Sequence, residues 1–190
     1  TSIQATVAVA AVNDAPTLTA FLAPVSTGNE DSEIAVTFAN LQAQGDEADV
    51  DGTVTAFVVK AVSSGVLNIG ASDWAAGTND VIDAVHQANW IPDANANGTL
   101  NAFTAVAKDN SGAESATAIQ ATVAVTAVND APTLTAFASA VAGGNEDSQI
   151  AVTFANLQAQ GDEADVDGTV TAFVVKDVSS GVLNIGTSDW

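Results

Sequence analysis

Acids and amides recur in short clusters along the chain. They are the residues whose types and spacing could do chemistry. Asn13-Asp14 precede Ala15-Pro16, and Gly45-Asp46-Glu47-Ala48-Asp49-Val50-Asp51-Gly52 concentrates four carboxylates. Ala107-Lys108-Asp109-Asn110-Ser111-Gly112 adds another, and further acids lie at Glu30-Asp31 and Asp93-Ala94-Asn95-Ala96-Asn97-Gly98. Carboxylate, amide and backbone oxygens are the ligands of hard cations, and Ca²⁺ takes roughly 6–8 of them in flexible geometry. Asp49-Val50-Asp51-Gly52 supplies two such ligands beside a tight turn, with the glycine tolerating the backbone angle. Mg²⁺ fits less well, because it demands near-ideal octahedral geometry. Glu47-x-Asp49-x-Asp51-Gly52 echoes an EF-hand loop. The position that should carry the closing glutamate is Val58, and strand-like residues flank the segment, so an EF-hand is excluded.

Other chemistries are poorly provided for. The 190 residues hold 23 Asp+Glu against 3 Lys+Arg, a net charge of −20. Phosphate contacts need clustered basic residues, so nucleic acid is excluded as a partner. Anionic lipid surfaces are disfavoured for the same reason, and no apolar run approaches the length of a membrane helix, so direct membrane insertion is not expected. There is no cysteine and one histidine, His86. Thiol catalysis, thiolate metal sites and disulfides are thereby removed, and a Ser-His-Asp triad has almost no material. Paired acids alone could suggest a glycosidase, but these sit in repeated loops, and the chain is expected not to be an enzyme. His86 reads as a surface or packing residue, Asp80 and Asp83 as groups that cap and solvate rather than hold an extra ion, and Lys60 as a strand lysine rather than an isopeptide donor.

The elements that must position the acids come in copies. Residues 1–74 align without a gap on 117–190 at an offset of 116, and 64 of the 74 pairs are identical. The chain therefore reads as a window on a longer tandem array. Residues 1–12 read as the last strand of a preceding repeat, 13–128 as one complete repeat, and 129–190 as the N-terminal half of the next. Val, Ile, Thr and Phe alternate in short runs between Gly, Asn and Asp clusters, which predicts an all-β sandwich. Strands are expected at 16–22, 34–38, 54–62, 65–70, 87–91, 99–107 and 119–126. One short helix per repeat is expected within 78–88, capped by Thr78 or Asn79. The fold class is thus an all-β, seven-strand immunoglobulin/cadherin-like Greek-key sandwich in tandem.

In that sandwich, chain order brings the leading linker (Asn13, Asp14), the loop with Asp49 and Asp51, and the loop with Asp109 to one pole. Glu30, Asp31 and Asp93 gather at the other with the trailing linker, Asn129 and Asp130, which the next copy faces with Asp165 and Asp167. Carboxylates about 5 Å apart repel by about 1 kcal/mol in water and about 3 kcal/mol at an effective dielectric near 20. Shared Ca²⁺ ions would relieve that repulsion. The metal ligands expected are therefore Asn13, Asp14, Asp49, Asp51 and Asp109, with Glu30, Asp31 and Asp93, and in the next copy Asn129, Asp130, Asp165 and Asp167.

These segments resemble the cadherin-like and immunoglobulin-like tandem repeats of giant bacterial RTX-type adhesins. Val12-Asn13-Asp14-Ala15-Pro16 resembles their Val-Asn-Asp-Ala-Pro junction, Asp49-Val50-Asp51 the cadherin Asp-x-Asp pair, and Glu30-Asp31 the Glu-Asp near the start of the bacterial repeats. Ala107-Lys108-Asp109-Asn110-Ser111-Gly112 is similar to the cadherin Ala-x-Asp-x-Gly segment, with two residues rather than one between Asp and Gly. The resemblance implies an extracellular or cell-surface location and an extender role, calcium stiffening each junction. Its partners are adjacent repeats of the same chain, and lateral self-association is a further partner the reading admits. The competing reading is a glycan-binding module using Trp74 and Trp90.

Overall fold

The structure, a computed structural model, describes residues 2–189. It divides into two compact units, Thr1–Val128 and Asn129–Trp190.

The first unit is two β-sheets around one core. Five strands lie in the order β1-β9-β8-β3-β6: β1 (Ser26–Asn29), β9 (Ile119–Thr126), β8 (Gly98–Asp109), β3 (Val54–Val62) and β6 (Val81–Asp83). Four lie in the order β2-β7-β4-β5: β2 (Ile34–Val36), β7 (Ala88–Ile91), β4 (Val66–Ile69) and β5 (Ser72–Asp73). All pairings are antiparallel except β1, which runs parallel to β9 with Ser26 opposite Val123 and Asn29 opposite Thr126. Alternation places the core. Ala121, Val123 and Val125 of β9 turn inward, as do Ala88 and Trp90 of β7. Phe57 is fully buried between Phe21 and Phe38, at ring separations of 5.9 and 5.7 Å. The all-β expectation holds, with nine strands in this unit.

The helix is displaced from where the sequence predicts it. Residues 78–88 form β6, the turns on either side of it and the first residue of β7; the helix is α1 (Phe38–Gln44). The acids of 78–88 close turns instead of capping a helix. Asp80 accepts the Gly77 amide at 2.6 Å, and Asp83 accepts those of Val85 and His86 at 2.8 and 2.7 Å. Asn79 donates to the carbonyls of Ile69, Ser72 and Asp73, and Val81 and Ile82 pair with Val58 and Phe57. At α1 the cap is Thr37, whose hydroxyl accepts the Asn40 amide while the Asn40 side chain accepts the Thr37 amide. Leu41 is the residue this helix buries. The segment 16–22 forms bridges at Thr17–Ala48 and Phe21–Gly45 rather than a continuous strand.

In the second unit, α2 (Phe154–Gln158) carries the same Thr153–Asn156 cap, and a hairpin joins β10 (Asn184–Ile185) to β11 (Ser188–Asp189). Residues 170–178, nearly identical to β3, are not in a strand. Residues 2–12, counterparts of 118–128, likewise carry no regular structure. Among the described residues no helix is long and apolar enough to cross a membrane.

Candidate functional site

Strand β8 spans the first unit, so Asp109 at its end and Gly98 at its start mark opposite ends of the sheet. At the Asp109 end three segments meet. The linker is fastened to the 45–52 loop by paired backbone hydrogen bonds between Thr17 and Ala48, 2.8 and 3.1 Å. Asp46 completes the fastening. It accepts the amides of Thr19 and Ala20 at 2.8 and 2.9 Å and the Thr19 hydroxyl, and these bonds, the hydroxyl first, hold its carboxyl down at about 2.

Asp109 is 2% exposed. Its Oδ2 accepts the Asn13 side-chain amide at 2.7 Å, and its Oδ1 accepts the backbone amides of Ser111 and Ala113, both at 2.8 Å. The Asn13 bond is the largest influence, and together these donors hold the carboxyl below the ordinary aspartate range despite desolvation. Asp51 Oδ1 accepts the Asp14 amide at 3.2 Å, and Asn110 Oδ1 accepts that of Thr53 at 2.9 Å. Asp49 Oδ1 accepts the Asp51 and Gly52 amides at 3.2 and 2.9 Å, while its Oδ2 is buried with no hydrogen-bond partner.

Gly52 shows how closely these oxygens crowd. A Cβ there would lie 2.5 Å from Asn110 Oδ1 and 2.9 Å from Asp49 Oδ2. An orphaned carboxylate oxygen and an amide oxygen therefore converge over a residue that has no side chain. Among the described residues no group of three or more Asp, Glu, His or Cys side chains is arranged to hold a metal ion. Much of the carboxylate capacity is spent on backbone amides.

At the other end, Glu30 is 1% exposed. Its Oε1 accepts the Val128 amide at 2.7 Å and its Oε2 accepts the Asn97 side-chain amide at 3.2 Å. Asp31, at φ 56, approaches the Asn95 amide at 3.5 Å. Asp93 turns toward the Gly65 amide, 3.4 Å away, and so serves the β3–β4 turn. In the second unit Asp167 accepts the Asp130 amide at 3.2 Å, Asp165 accepts that of Gly168 at 2.9 Å, and the Asn129 side chain donates to the Asp130 carbonyl at 2.7 Å. The linker geometry of the first copy is thus repeated.

Sequence reasoning placed the segments that hold Asn110, Asn97 and Glu47 at these ends but did not name the three among the ligands. Glu47 Oε2 is buried without a partner, as is Glu163 Oε2 in the second copy, and burial pushes the Glu47 carboxyl up. The signal for Asn110 and Asn97 was their place beside the acids within the two loops. Elsewhere, Trp90 is fully buried with its indole donating to the Ser64 carbonyl at 2.7 Å, and half-buried Trp74 donates to that of Val59 at 3.3 Å. They pack with the core instead of forming an exposed pair. Lys60 pairs with Glu114 at 2.6 Å on the surface. Comparison with protein-family models, with curated proteins and with solved structures found no match.

Proposed function

We propose that the chain is a non-catalytic extender repeat of a large secreted or cell-surface adhesin or filament, stiffened by Ca²⁺ at its linkers. The observation that carries this reading is the meeting of Asn13, Asp14, Asp49, Asp51, Asp109 and Asn110 at one end of the first unit, with the orphaned Asp49 Oδ2 and Asn110 Oδ1 over Gly52. Asp49, Asp51, Asp109 and Asn110 would hold the ion, and Asp14 would join them from the linker. A bound ion neutralises adjoining carboxylates and ties the linker to two loops, so bending the linker would break coordination. Asn129, Asp130, Asp165 and Asp167 repeat part of this set.

An immunoglobulin- or cadherin-like Greek key fits the order of the sheets. The reading takes β2, β7 and β4 as strands B, E and D, and β3, β8 and β9 as C, F and G, and the neighbour order within each sheet supports it. An extracellular location agrees with a weak, calcium-dependent junction, since extracellular modules bind Ca²⁺ at roughly 10⁻⁴–10⁻³ M. Solution scattering from several complete repeats in tandem tests the mechanical part. Millimolar calcium should give a longer, stiffer particle than chelator; identical profiles would overturn the extender mechanism.

A further inference from the structure

The sequence has one Asn-Gly step, Asn97-Gly98, on the exposed rim where β8 begins. Gly98 lies at φ 95, so a side chain there would be strained although a Cβ would meet nothing within 4 Å. Backbone conformation, not lack of space, keeps this position glycine. The Asn97 side chain holds a buried acid in place. Its Nδ2 donates to the Oε2 of Glu30, whose other oxygen holds the Val128 amide. The ion pairs among the described residues are Lys60–Glu114 and His86–Asp83, and neither involves Glu30.

We propose that Asn97 is a site of spontaneous deamidation in the folded chain, and that the reaction loosens the end of β9 by disarming Glu30. Glycine leaves its own amide nitrogen unshielded, which makes an Asn-Gly step prone to ring closure. The Gly98 nitrogen attacks Asn97 Cγ. The N–Cγ bond forms, the Cγ–Nδ2 bond breaks, and ammonia departs carrying the former Gly98 amide proton. Water then opens the succinimide at either carbonyl. Its hydroxyl stays on the carbon and its proton returns to nitrogen, giving aspartate or isoaspartate at 97. No oxidant, reductant or cofactor is consumed. Both products lack the Nδ2 donor, and aspartate places a second anion where that donor stood, 3.2 Å from Glu30 Oε2. An unpaired buried carboxylate is costly, so Glu30 turns outward and its hold on Val128 weakens. The chain would then age from a fastened to a loosened strand end.

The test uses the full 190-residue chain in chelator, so that its outcome is independent of the calcium reading. The folded chain is incubated in mildly alkaline buffer beside a synthetic peptide spanning 93–101, and both are followed by peptide mass spectrometry. Aspartate and isoaspartate should accumulate at 97 in the folded chain, and Asn97→Gln should block the conversion. Amide exchange at Val128 should quicken about tenfold in the converted chain. Asn97→Asp should reproduce that change at once with its β-sheet signal intact. Conversion of the peptide but not of the folded chain would overturn the proposal. So would unchanged Val128 exchange after conversion, or loss of the β-sheet signal in Asn97→Asp.

Discussion

Asp46 and Glu47 are neighbours with opposite electrostatic fates. Three hydrogen bonds stabilise ionised Asp46, while burial opposes ionised Glu47. The signs for stability follow. A carboxyl whose pKa is lowered by folding contributes stability that is present above its unfolded value, near 3.8, and is lost as pH falls toward about 2. A carboxyl whose pKa is raised contributes below its unfolded value and loses that contribution as pH rises through its folded one. Asp46→Asn should therefore lower the melting temperature at neutral pH, with the deficit shrinking as pH falls toward 2. Glu47→Gln should match or exceed the parent at neutral pH and lose that advantage in acid. Thermal denaturation across pH checks both, and equal behaviour of the two variants would refute the assignment. Gly52 gives a second residue-scale prediction. Gly52→Ala would drive a methyl group toward Asn110 Oδ1 and Asp49 Oδ2. It should weaken calcium binding by at least tenfold while the far-UV spectrum in chelator stays that of the parent.

Elements depend on partners as much as on their own residues. Residues 54–62 form β3 between β6 and β8, whereas 170–178, differing only by Asp177 for Ala61, form no strand. No segment of 129–189 repeats β6 or β8, the strands that β3 pairs with in the first unit. This bounds what the sequence could reveal. Alternation located β3, β4, β7, β8 and β9 within a residue or two at most ends, because their apolar faces meet the core. It missed β1, a polar Ser-Thr-Gly-Asn run that is a strand only through its pairing with β9. It read capping residues at 78–80 as a helix start, when the same side chains were closing turns. At the site, the meeting of linker and loop acids was legible from chain order. The use of carboxylates on backbone amides was not, because it depends on local turn geometry. The helix yields a prediction at this scale. Thr37→Ala removes the cap of a seven-residue helix and should cost about 1 kcal/mol. Leu41→Ala, at a fully buried position, should cost about 2–5 kcal/mol. Denaturant titration of both variants checks the order; a larger loss for Thr37→Ala would mean the helix is held by its cap rather than by packing.

At the scale of the whole molecule, a chain with a net charge of −20 and near-identical copies must manage repulsion wherever its acids gather. Calcium at the Asp109 end of the first unit is the proposed means. The most direct test follows backbone amide signals by nuclear magnetic resonance as calcium is added to the 190-residue chain. Signals of Asp14, Asp51, Gly52, Asn110 and Ser111 should move together and saturate at roughly 10⁻⁴–10⁻³ M, and Asp49→Asn should abolish the movement. Those five signals standing still up to about 10 mM calcium, an order of magnitude above that range, or moving equally in Asp49→Asn, would contradict it.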